Sequence, residues 1–346
     1  MDGQLSHGLP FLATAGNQII NDGTGAPVLL RGLNRSGLEY SEPDEQGFLS
    51  GAGICRAEVQ TIVKDWGCNI VRLPFNQDFV LRGRNGLPPE QYQQALDQVI
   101  SWNAMFGAYT LLDLQWLDAQ RIYGGDRNFV APLPNLESVT LWTTLAARYK
   151  DEPAVLYDIF SEPHDRLPDD PYSLNKEDGT TYPSGQFAVT MAMWQPWARQ
   201  LANPIRIQNP RSLIFIPGVD WAYDLGGMPM ELPNVVYSTH VYPNQGTDWA
   251  DAFGNLAETV PVFVGEFGGQ DTPGDLDFVT KLAAYLQQRG IGWAAWSWFN
   301  DPFLVNRYSP TKFGALIRQQ LAAPQAGPRP ADKRARTGQD NPLSDD

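Results

Sequence analysis

The sequence predicts an α/β fold, a (β/α)8 TIM barrel with an N-terminal β-hairpin and long βα loops. Three observations support this. The chain has 346 residues, which suits one barrel with insertions. Short apolar runs rich in β-branched residues alternate with helical patterns along most of its length. A doubly wound sheet is the alternative, but no glycine-rich dinucleotide fingerprint follows any early strand.

Eight apolar runs are interpreted as the barrel strands, because nearly continuous apolar strands separated by helices indicate a parallel sheet covered on both faces. The predicted strands are 29–34, 69–75, 109–116, 155–162, 213–218, 235–242, 261–266 and 292–298. The predicted helices are 52–66, 89–106, 138–150, 186–202 and 311–321. The short link between the fifth and sixth strands carries glycines and a proline, so we expect its helix to be degenerate.

The segments around the barrel are predicted from turn signals and composition. An Asp-Gly pair at 22–23 lies between apolar runs, which predicts a small hairpin over 17–30 that plugs the barrel bottom. We assign 1–14 to an N-terminal leader and 15–321 to one barrel domain. The tail, 322–346, is rich in Pro, Ala, Arg and Asp without an apolar period, so we expect a disordered segment or a linker.

Two long connections, 117–137 and 164–186, follow strands. Loops that follow barrel strands lie on the face where barrel active sites are built, so we expect both to wall a cleft.

Charge and composition exclude several classes of function. The formal net charge of −14 argues against nucleic acid or an anionic membrane as the main partner and fits an uncharged substrate. The sequence has no apolar run of the roughly 20 residues that a membrane span needs. Cys55 and Cys68 flank a predicted helix that would hold them roughly 20 Å apart, too far for a disulfide. Because the three histidines, at 7, 164 and 240, are widely spread, we expect no metal site and no cofactor.

Two glutamates end predicted strands. Glu162 ends the fourth strand and precedes a proline, and Glu266 ends the seventh and precedes Phe-Gly. Either one alone could simply begin a loop. Together, at the same end of a barrel, they could flank one glycosidic bond, one as acid and the other as nucleophile. Arg72, in an otherwise apolar strand, would keep a nearby carboxylate ionised, although a barrel-end salt bridge is the other interpretation.

Six motifs fall in order on the predicted strands. They are Leu-Arg-Gly-Leu-Asn at 30–34, Val-Arg-Leu-Pro at 71–74, Glu-Pro-His at 162–164, His-Val-Tyr-Pro at 240–243, Gly-Glu-Phe-Gly at 265–268 and Trp-Ser-Trp at 296–298. Through these motifs the chain resembles glycoside hydrolase family 5, the cellulase-like retaining glycosidases, over roughly residues 15–320.

The resemblance implies a TIM barrel with Glu162 as acid/base and Glu266 as nucleophile. It also implies that Arg72 and Tyr242 hydrogen-bond the nucleophile, that His240 lines the site and that Trp296 is a sugar platform. From the residues alone, His240 could equally be a core histidine, Trp296 could be core packing, and His164 could only brace its loop. The full set expected to bind substrate is Arg72, Gln115, Trp116, Ser161, His240, Tyr242, Trp296 and Trp298.

Two positions depart from the family pattern. Ser161 stands before Glu162 where relatives have asparagine, whose amide donates to the sugar 2-hydroxyl. Serine is shorter and offers one donor, so that contact could be lost, bridged by water or replaced. Gln115, followed by Trp116, ends the third strand where relatives commonly have histidine, and it cannot carry charge.

The expected function is a retaining β-glycosidase acting on a β-glucan of the cellulose type or on a β-mannan. A glycosidase for a glycoconjugate or an unusual sugar is one alternative, and a non-catalytic carbohydrate-binding barrel is another. A metal-dependent enzyme would want three or more ligands at strand ends. We expect a carbohydrate as the partner, a monomer, and a secreted or periplasmic location. A carboxyl separation above about 7 Å would exclude the retaining mechanism.

Overall fold

Eight parallel strands close into a barrel in the computed structural model, which describes residues 5, 7–118 and 130–324. The strands are β1 (Leu12–Ala15), β2 (Gln18–Asn21), β3 (Arg31–Asn34), β4 (Ile70–Asn76), β5 (Tyr109–Trp116), β6 (Val155–Asp158), β7 (Ile214–Pro217), β8 (Val235–Val241), β9 (Val262–Phe267), β10 (Gly292–Ala295), β11 (Val305–Asn306) and β12 (Ser309–Pro310). Strands β3 to β10 form the ring in chain order, and β10 pairs with β3 to close it. The predicted TIM barrel is therefore confirmed.

Helices cover the outside of the barrel. They are α1 (Phe48–Gly51), α2 (Arg56–Gln60), α3 (Gln77–Arg82), α4 (Pro89–Phe106), α5 (Leu136–Arg148), α6 (Met191–Gln208), α7 (Pro273–Arg289) and α8 (Lys312–Ala322). The helix predicted over 52–66 begins later, at Arg56, and continues from α2 as a π-helical turn over Thr61–Asp65. The described residues between β7 and β8 form turns rather than a helix, as expected from their glycines and proline.

The N-terminal hairpin lies one segment earlier than predicted. It pairs β1 with β2, and its turn contains Gly16, whose φ of 57° suits the first central position of a tight hairpin turn. The Asp-Gly pair at 22–23 makes the next turn, after which Ile20 and Pro27 form a single bridge. Proline has no N–H to extend a ladder, which explains why this second pairing stops. Since β1 starts at Leu12, paired structure begins inside the segment assigned to the leader.

The hairpin closes one mouth of the barrel. Leu12 of β1 and Ile19 of β2 belong to a buried apolar cluster with residues from the first halves of the barrel strands, among them Leu30, Ile70 and Tyr109. A larger cluster fills the layer between the barrel and its helices. Because the amino-terminal mouth is plugged, only the carboxyl ends of the strands surround an open site.

Several expectations concern the ends and loops. Residues 119–129 of the first long connection and 325–346 of the predicted tail lie outside the described residues.

Both Cys55 and Cys68 are free, and Cys68 is buried. Within the described parts of the chain, no helix combines the length and the apolarity that crossing a membrane requires.

Candidate active site

The barrel brings most of the predicted site residues together at the carboxyl ends of its strands. Arg72 lies in β4, Gln115 and Trp116 end β5, and Ser161 and Glu162 follow β6. His240 lies near the end of β8 and Tyr242 follows that strand, while Glu266 lies in β9 and Trp296 follows β10. The fourth and eighth strands end earlier than predicted, at Asp158 and Ala295. The residues beyond these points leave the ladder and enter the loops of the barrel mouth.

Glu266 is enclosed and held by two strong donors. It is 4% exposed, and its Oε1 accepts a 2.6 Å hydrogen bond from Nη1 of Arg72. Its Oε2 accepts from the Tyr242 hydroxyl at 2.9 Å. A Cβ on Gly265 would stand 2.6 Å from Oγ of Ser238 and 3.0 Å from Nε2 of His240, so glycine is needed before the glutamate. Two donors therefore fix the orientation of this carboxylate.

Arg72 lies between three carboxylates. Besides Glu266, its guanidinium bonds Asp158 through Nε at 2.8 Å and pairs with Asp113 at 2.9 Å. Its Nη1 also donates to Oδ1 of Asn34 at 2.9 Å. Burial acts to lower the pKa of Arg72, but the three carboxylates outweigh it and raise that pKa above its usual value. The guanidinium therefore stays charged and rigid beside Glu266.

Burial acts on the pKa values of the two aspartates around Arg72. Burial raises the pKa of Asp158 to about 6, against the opposing pull of Arg72. Burial likewise raises the pKa of Asp113 well above its usual value. The two aspartates are direct neighbours in the register of β5 and β6, so they repel each other when both are ionised. Of these three carboxyl groups, Glu266 is the one that accepts from both Arg72 and the Tyr242 hydroxyl.

Glu162 has a different environment. Nδ1 of His240 lies 2.8 Å from its Oε1, and the imidazole is fully buried. Burial lowers the pKa of His240 to about 3, so the ring is neutral at working pH. Burial raises the pKa of Glu162 to about 7, although Arg72 acts in the opposite direction. A neutral ring and a partly desolvated carboxyl favour a proton on Glu162.

The two glutamates are close. One oxygen of Glu162, one oxygen of Glu266 and Nδ1 of His240 all lie within 4.8 Å of one another. That separation is close to the roughly 5–5.5 Å between the carboxyls of retaining glycosidases, and well below the spacing of inverting ones. The same three atoms could ligate a metal ion, but the Arg72 guanidinium bonded to Glu266 places a competing positive charge there.

Ser161 and Gln115, the two departures from the family pattern, contact each other. Oγ of Ser161 donates to Oε1 of Gln115 at 3.0 Å. Nη2 of Arg72 donates to the same serine oxygen at 3.1 Å. The two side chains therefore form one connected unit with the arginine that holds Glu266.

The tryptophans predicted to bind sugar separate into two groups. Trp296 is 8% exposed, with Nε1 donating to the backbone carbonyl of Asp301 at 3.1 Å, and Trp116 is half-buried with its ring 5.8 Å from that of Tyr40. Trp298 does not belong with them. It is fully buried and packs edge-on against Trp66 at 4.9 Å, so it has no face for a sugar and the prediction was wrong. An alternating Trp-Ser-Trp motif cannot show which ring turns towards the core.

A cavity of about 480 Å³ opens beside Glu162. It is lined by Glu162, Asp220, Trp221, Tyr223, Tyr242, Asn244 and Gln245. The Trp221 ring is 40% exposed and stacks on the His164 ring with centroids 3.8 Å apart. Burial lowers the pKa of His164 to about 4, and its Nδ1 contacts the Glu162 backbone carbonyl at 2.6 Å. His164 thus braces the loop that carries Glu162.

Sequence reasoning missed Asp113, Asp158 and the segment around Trp221. The signal for the aspartates was available, because a buried arginine in an apolar strand requires counter-charges on the neighbouring strands. No comparable signal marks Trp221, whose φ of 59° belongs to a run of three left-handed residues in the link after β7.

Comparison with known proteins identifies the family of this chain. The family model for cellulase, glycosyl hydrolase family 5, matches residues 22–302. Endoglucanase MaCel5A of Microbulbifer sp. is 26% identical over 84% of this chain and 51% of its own length. Endoglucanase E-5 of Thermobifida fusca is 22% identical over 81% of this chain and 54% of its own length. This chain thus spans about half the length of these two relatives.

Solved structures show the same fold. The β-glucanase SdGluc5_26A of Saccharophagus degradans, solved in complex with cellotetraose, superposes with a TM-score of 0.70 at 22% identity, over 92% of this chain and 95% of that one. The endoglucanase Cel5A catalytic domain of Thermobifida fusca gives 0.68 at 20% identity, over 93% of this chain and all of that one. Since the family model covers most of the sequence and the barrel agrees, this chain belongs to glycosyl hydrolase family 5.

Proposed function

We propose that this chain is a retaining glycoside hydrolase that cleaves cellulose-type β-glucan by double displacement. In this proposal Glu162 is the acid/base and Glu266 is the nucleophile. The observation that carries it is the pair of carboxyls within 4.8 Å of each other in opposite environments. One is fixed by a guanidinium and a phenol, and burial raises the pKa of the other to about 7.

In the first step Glu266 attacks the anomeric carbon and forms a covalent glycosyl ester. Glu162 gives its proton to the glycosidic oxygen as the bond to the leaving sugar breaks. Arg72 and Tyr242 hold Glu266 in position, because Nη1 of Arg72 donates to its Oε1 and the Tyr242 hydroxyl donates to its Oε2. Neutral His240 holds Glu162 without removing its tendency to keep a proton.

In the second step Glu162, now ionised, takes a proton from a water molecule that attacks the glycosyl ester. The product leaves with the configuration of the substrate, and Glu266 is regenerated. The cavity beside Glu162 supports this step, since the leaving sugar must depart and water must enter on that side.

The choice of β-glucan rests on the relatives and on the aromatic faces of the site. Two relatives are named endoglucanases, and one structural neighbour was solved with cellotetraose. Trp116 and Trp296 lie at the carboxyl ends of β5 and β10, and Trp221 lies in the cavity wall. Flat indole rings suit the apolar faces of sugar rings. Because a glucan polymer does not cross membranes, we also propose that the protein works outside the cytoplasm. We propose that it is a monomer, which size-exclusion chromatography tests.

The proposal is tested by incubating the protein with defined β-glucans, β-mannan and aryl β-cellobioside, and following the anomeric protons by NMR from the first seconds. Hydrolysis that releases the β-anomer first, on glucan in preference to mannan, is the expected result. Release of the α-anomer first would replace the retaining mechanism with an inverting one. Faster cleavage of mannan would change the substrate. Binding without any cleavage would identify a carbohydrate-binding barrel instead.

A further inference from the structure

The hydroxyl of Ser161 is fully committed inside the protein. It accepts from Nη2 of Arg72, and a guanidinium can only donate hydrogen bonds. Its single proton is therefore free to point elsewhere, and the acceptor within reach is Oε1 of Gln115 at 3.0 Å. With both contacts made, Ser161 has no donor left for a substrate.

This chain of contacts fixes which end of the Gln115 amide faces outward. The oxygen and nitrogen of a glutamine are told apart by their hydrogen-bond network. If the amide were reversed, its nitrogen would face Ser161, and the serine proton would have no acceptor among the described residues. The direction set by Arg72 therefore keeps Oε1 on Ser161 and leaves Nε2, with two hydrogens, without a partner among the described residues.

Gln115 stands at the point where β5 ends, next to Trp116 and within the group around Glu266. It is half-buried, and no described residue bonds its Nε2. The same guanidinium bonds Glu266 through Nη1 and Ser161 through Nη2. The Gln115 amide is thus linked to Glu266 through two hydrogen-bonding groups, Arg72 and Ser161.

We propose that Nε2 of Gln115 donates to the 2-hydroxyl of the reacting sugar, with Ser161 as the positioning residue that sets the amide. This inference rests on the proposed function and adds a specificity contact to it. Glu266 attacks C1, and the 2-hydroxyl lies on a carbon next to C1, so a donor that is linked to Glu266 through Arg72 and Ser161 suits this hydroxyl. Hydrogen bonds to that hydroxyl strengthen as the sugar flattens towards the transition state. Sugars without an acceptor at this position are cleaved less well.

The experiment compares an aryl β-cellobioside with its analogue that lacks the 2-hydroxyl on the reacting glucose. The parent protein is expected to favour the complete substrate after correction for the intrinsic reactivity of the two glycosides. Gln115→Met, which keeps the length of the side chain without its amide, should lower this preference in kcat/KM about five- to tenfold. Gln288→Met, on an exposed part of α7, is the matched control and should leave the preference unchanged.

A second variant separates positioning from contact. Ser161→Ala frees the amide to reverse, so it should lower the preference by a smaller factor than Gln115→Met. In the Gln115→Met background the same substitution should lower the preference no further, which is the mark of residues acting as one unit. Independent, additive effects of the two substitutions would overturn the positioning role of Ser161. An unchanged preference in Gln115→Met would overturn the proposed contact between Gln115 and the 2-hydroxyl. Hydrolysis by the parent protein in the same assay would still support the proposed function.

A structural measurement does not depend on turnover. Crystals of the parent soaked with cellotetraose should place Nε2 of Gln115 within about 3.2 Å of a 2-hydroxyl oxygen. A bound sugar whose 2-hydroxyl contacts another residue would overturn the inference. A cleft that binds no cellotetraose would overturn both this inference and the choice of substrate.

Discussion

Glu266 and Glu162 are the same residue type at the same end of one barrel, yet their surroundings are opposite. Glu266 accepts two strong hydrogen bonds, one of them from a cation. The described side-chain partner of Glu162 is a neutral imidazole, and a cavity opens beside it. Glu162 keeps a proton up to about pH 7 chiefly because burial raises its pKa, whereas a guanidinium and a phenol hold the two oxygens of Glu266.

The comparison extends to how each side is built. The surroundings of Glu266 are buried and rich in charge, because Arg72 contacts three carboxyl groups and also donates to Asn34. Glu162 lies on a loop that His164 stabilises through a contact to the Glu162 backbone carbonyl. Its side chain lines the cavity that we assign to the leaving sugar. Substitutions on the first side should therefore affect every substrate, whereas those on the second should depend on the leaving group.

The largest effect is expected for Glu266→Ala. Without a nucleophile no glycosyl ester forms, so hydrolysis of every β-glycoside should fall to the background rate. Initial rates on an aryl β-cellobioside and on soluble glucan measure this. Sodium azide should restore turnover with the aryl substrate, because a small anion can enter the space that the carboxylate leaves.

The control for Glu266→Ala is Glu258→Ala, a substitution at an exposed glutamate just before β9, at the opposite end of the barrel, which should retain full activity. Circular dichroism should show both variants folded. Substantial turnover by folded Glu266→Ala without azide would mean that another group is the nucleophile.

Glu162→Ala should divide substrates by their leaving groups. Glucan, whose leaving sugar must be protonated, should lose about 10²–10⁴-fold in kcat, the range assigned to general acid catalysis. An aryl glycoside with an acidic phenol needs no proton, so its bond cleavage should lose far less. Equal losses on the two substrates would remove the distinction between the two glutamates.

The pH dependence of kcat/KM in the parent protein tests the same difference between the two glutamates without a substitution. Burial raises the pKa of Glu162 to about 7, so its proton is present below that pH and is lost as pH rises through it. For glucan, kcat/KM should therefore fall about tenfold for each pH unit above roughly 7. The limb should disappear in Glu162→Gln. A limb that sets in near pH 4–5 would mean that Glu162 is solvated like an ordinary carboxyl.

The part of the site that could be predicted is the part that strand ends and motifs mark. Glu162, Glu266 and Arg72 stand where apolar strands stop or carry a charge, and the barrel brings them together because all parallel strands end on one face. The plugging hairpin was also predictable, although Gly16 rather than the Asp-Gly pair makes its turn. Both kinds of feature follow from periodicity and from backbone constraints.

What could not be predicted depends on packing across the barrel. The sequence around the two tryptophans does not show that Trp298 packs against Trp66 while Trp296 donates to the backbone carbonyl of Asp301. The bond between Ser161 and Gln115 joins the ends of neighbouring strands, so the sequence alone left open whether the asparagine contact was lost, bridged by water or replaced. Contacts between residues far apart in sequence require the register of the strands, which a single sequence does not contain.

Asp158→Asn should have a moderate effect on the Glu266 side. It removes a charge-assisted hydrogen bond to Arg72, which should lower the free energy of unfolding by about 2 kcal/mol in denaturant titrations. Because Arg72 also loses a tether, turnover should fall by the same factor on glucan and on aryl substrates. Asp22→Asn breaks the exposed pair with Arg211 and is the control, with an expected change below about 0.5 kcal/mol. A leaving-group-dependent loss in Asp158→Asn would place this aspartate functionally on the Glu162 side.

The smallest expected effect, and the most specific, is that of Ser161→Asn. Asparagine would enlarge a side chain that already contacts Arg72 and Gln115, and the added atoms would displace the Gln115 amide. We therefore expect kcat/KM on glucosides to fall about three- to tenfold, corresponding to roughly 1 kcal/mol. Shortening the neighbour by Gln115→Ala in the same protein should recover part of the loss, because it returns the space and lets the asparagine amide reach the sugar. A rise in activity with Ser161→Asn alone would mean that the two positions are independent and that serine had only weakened the site.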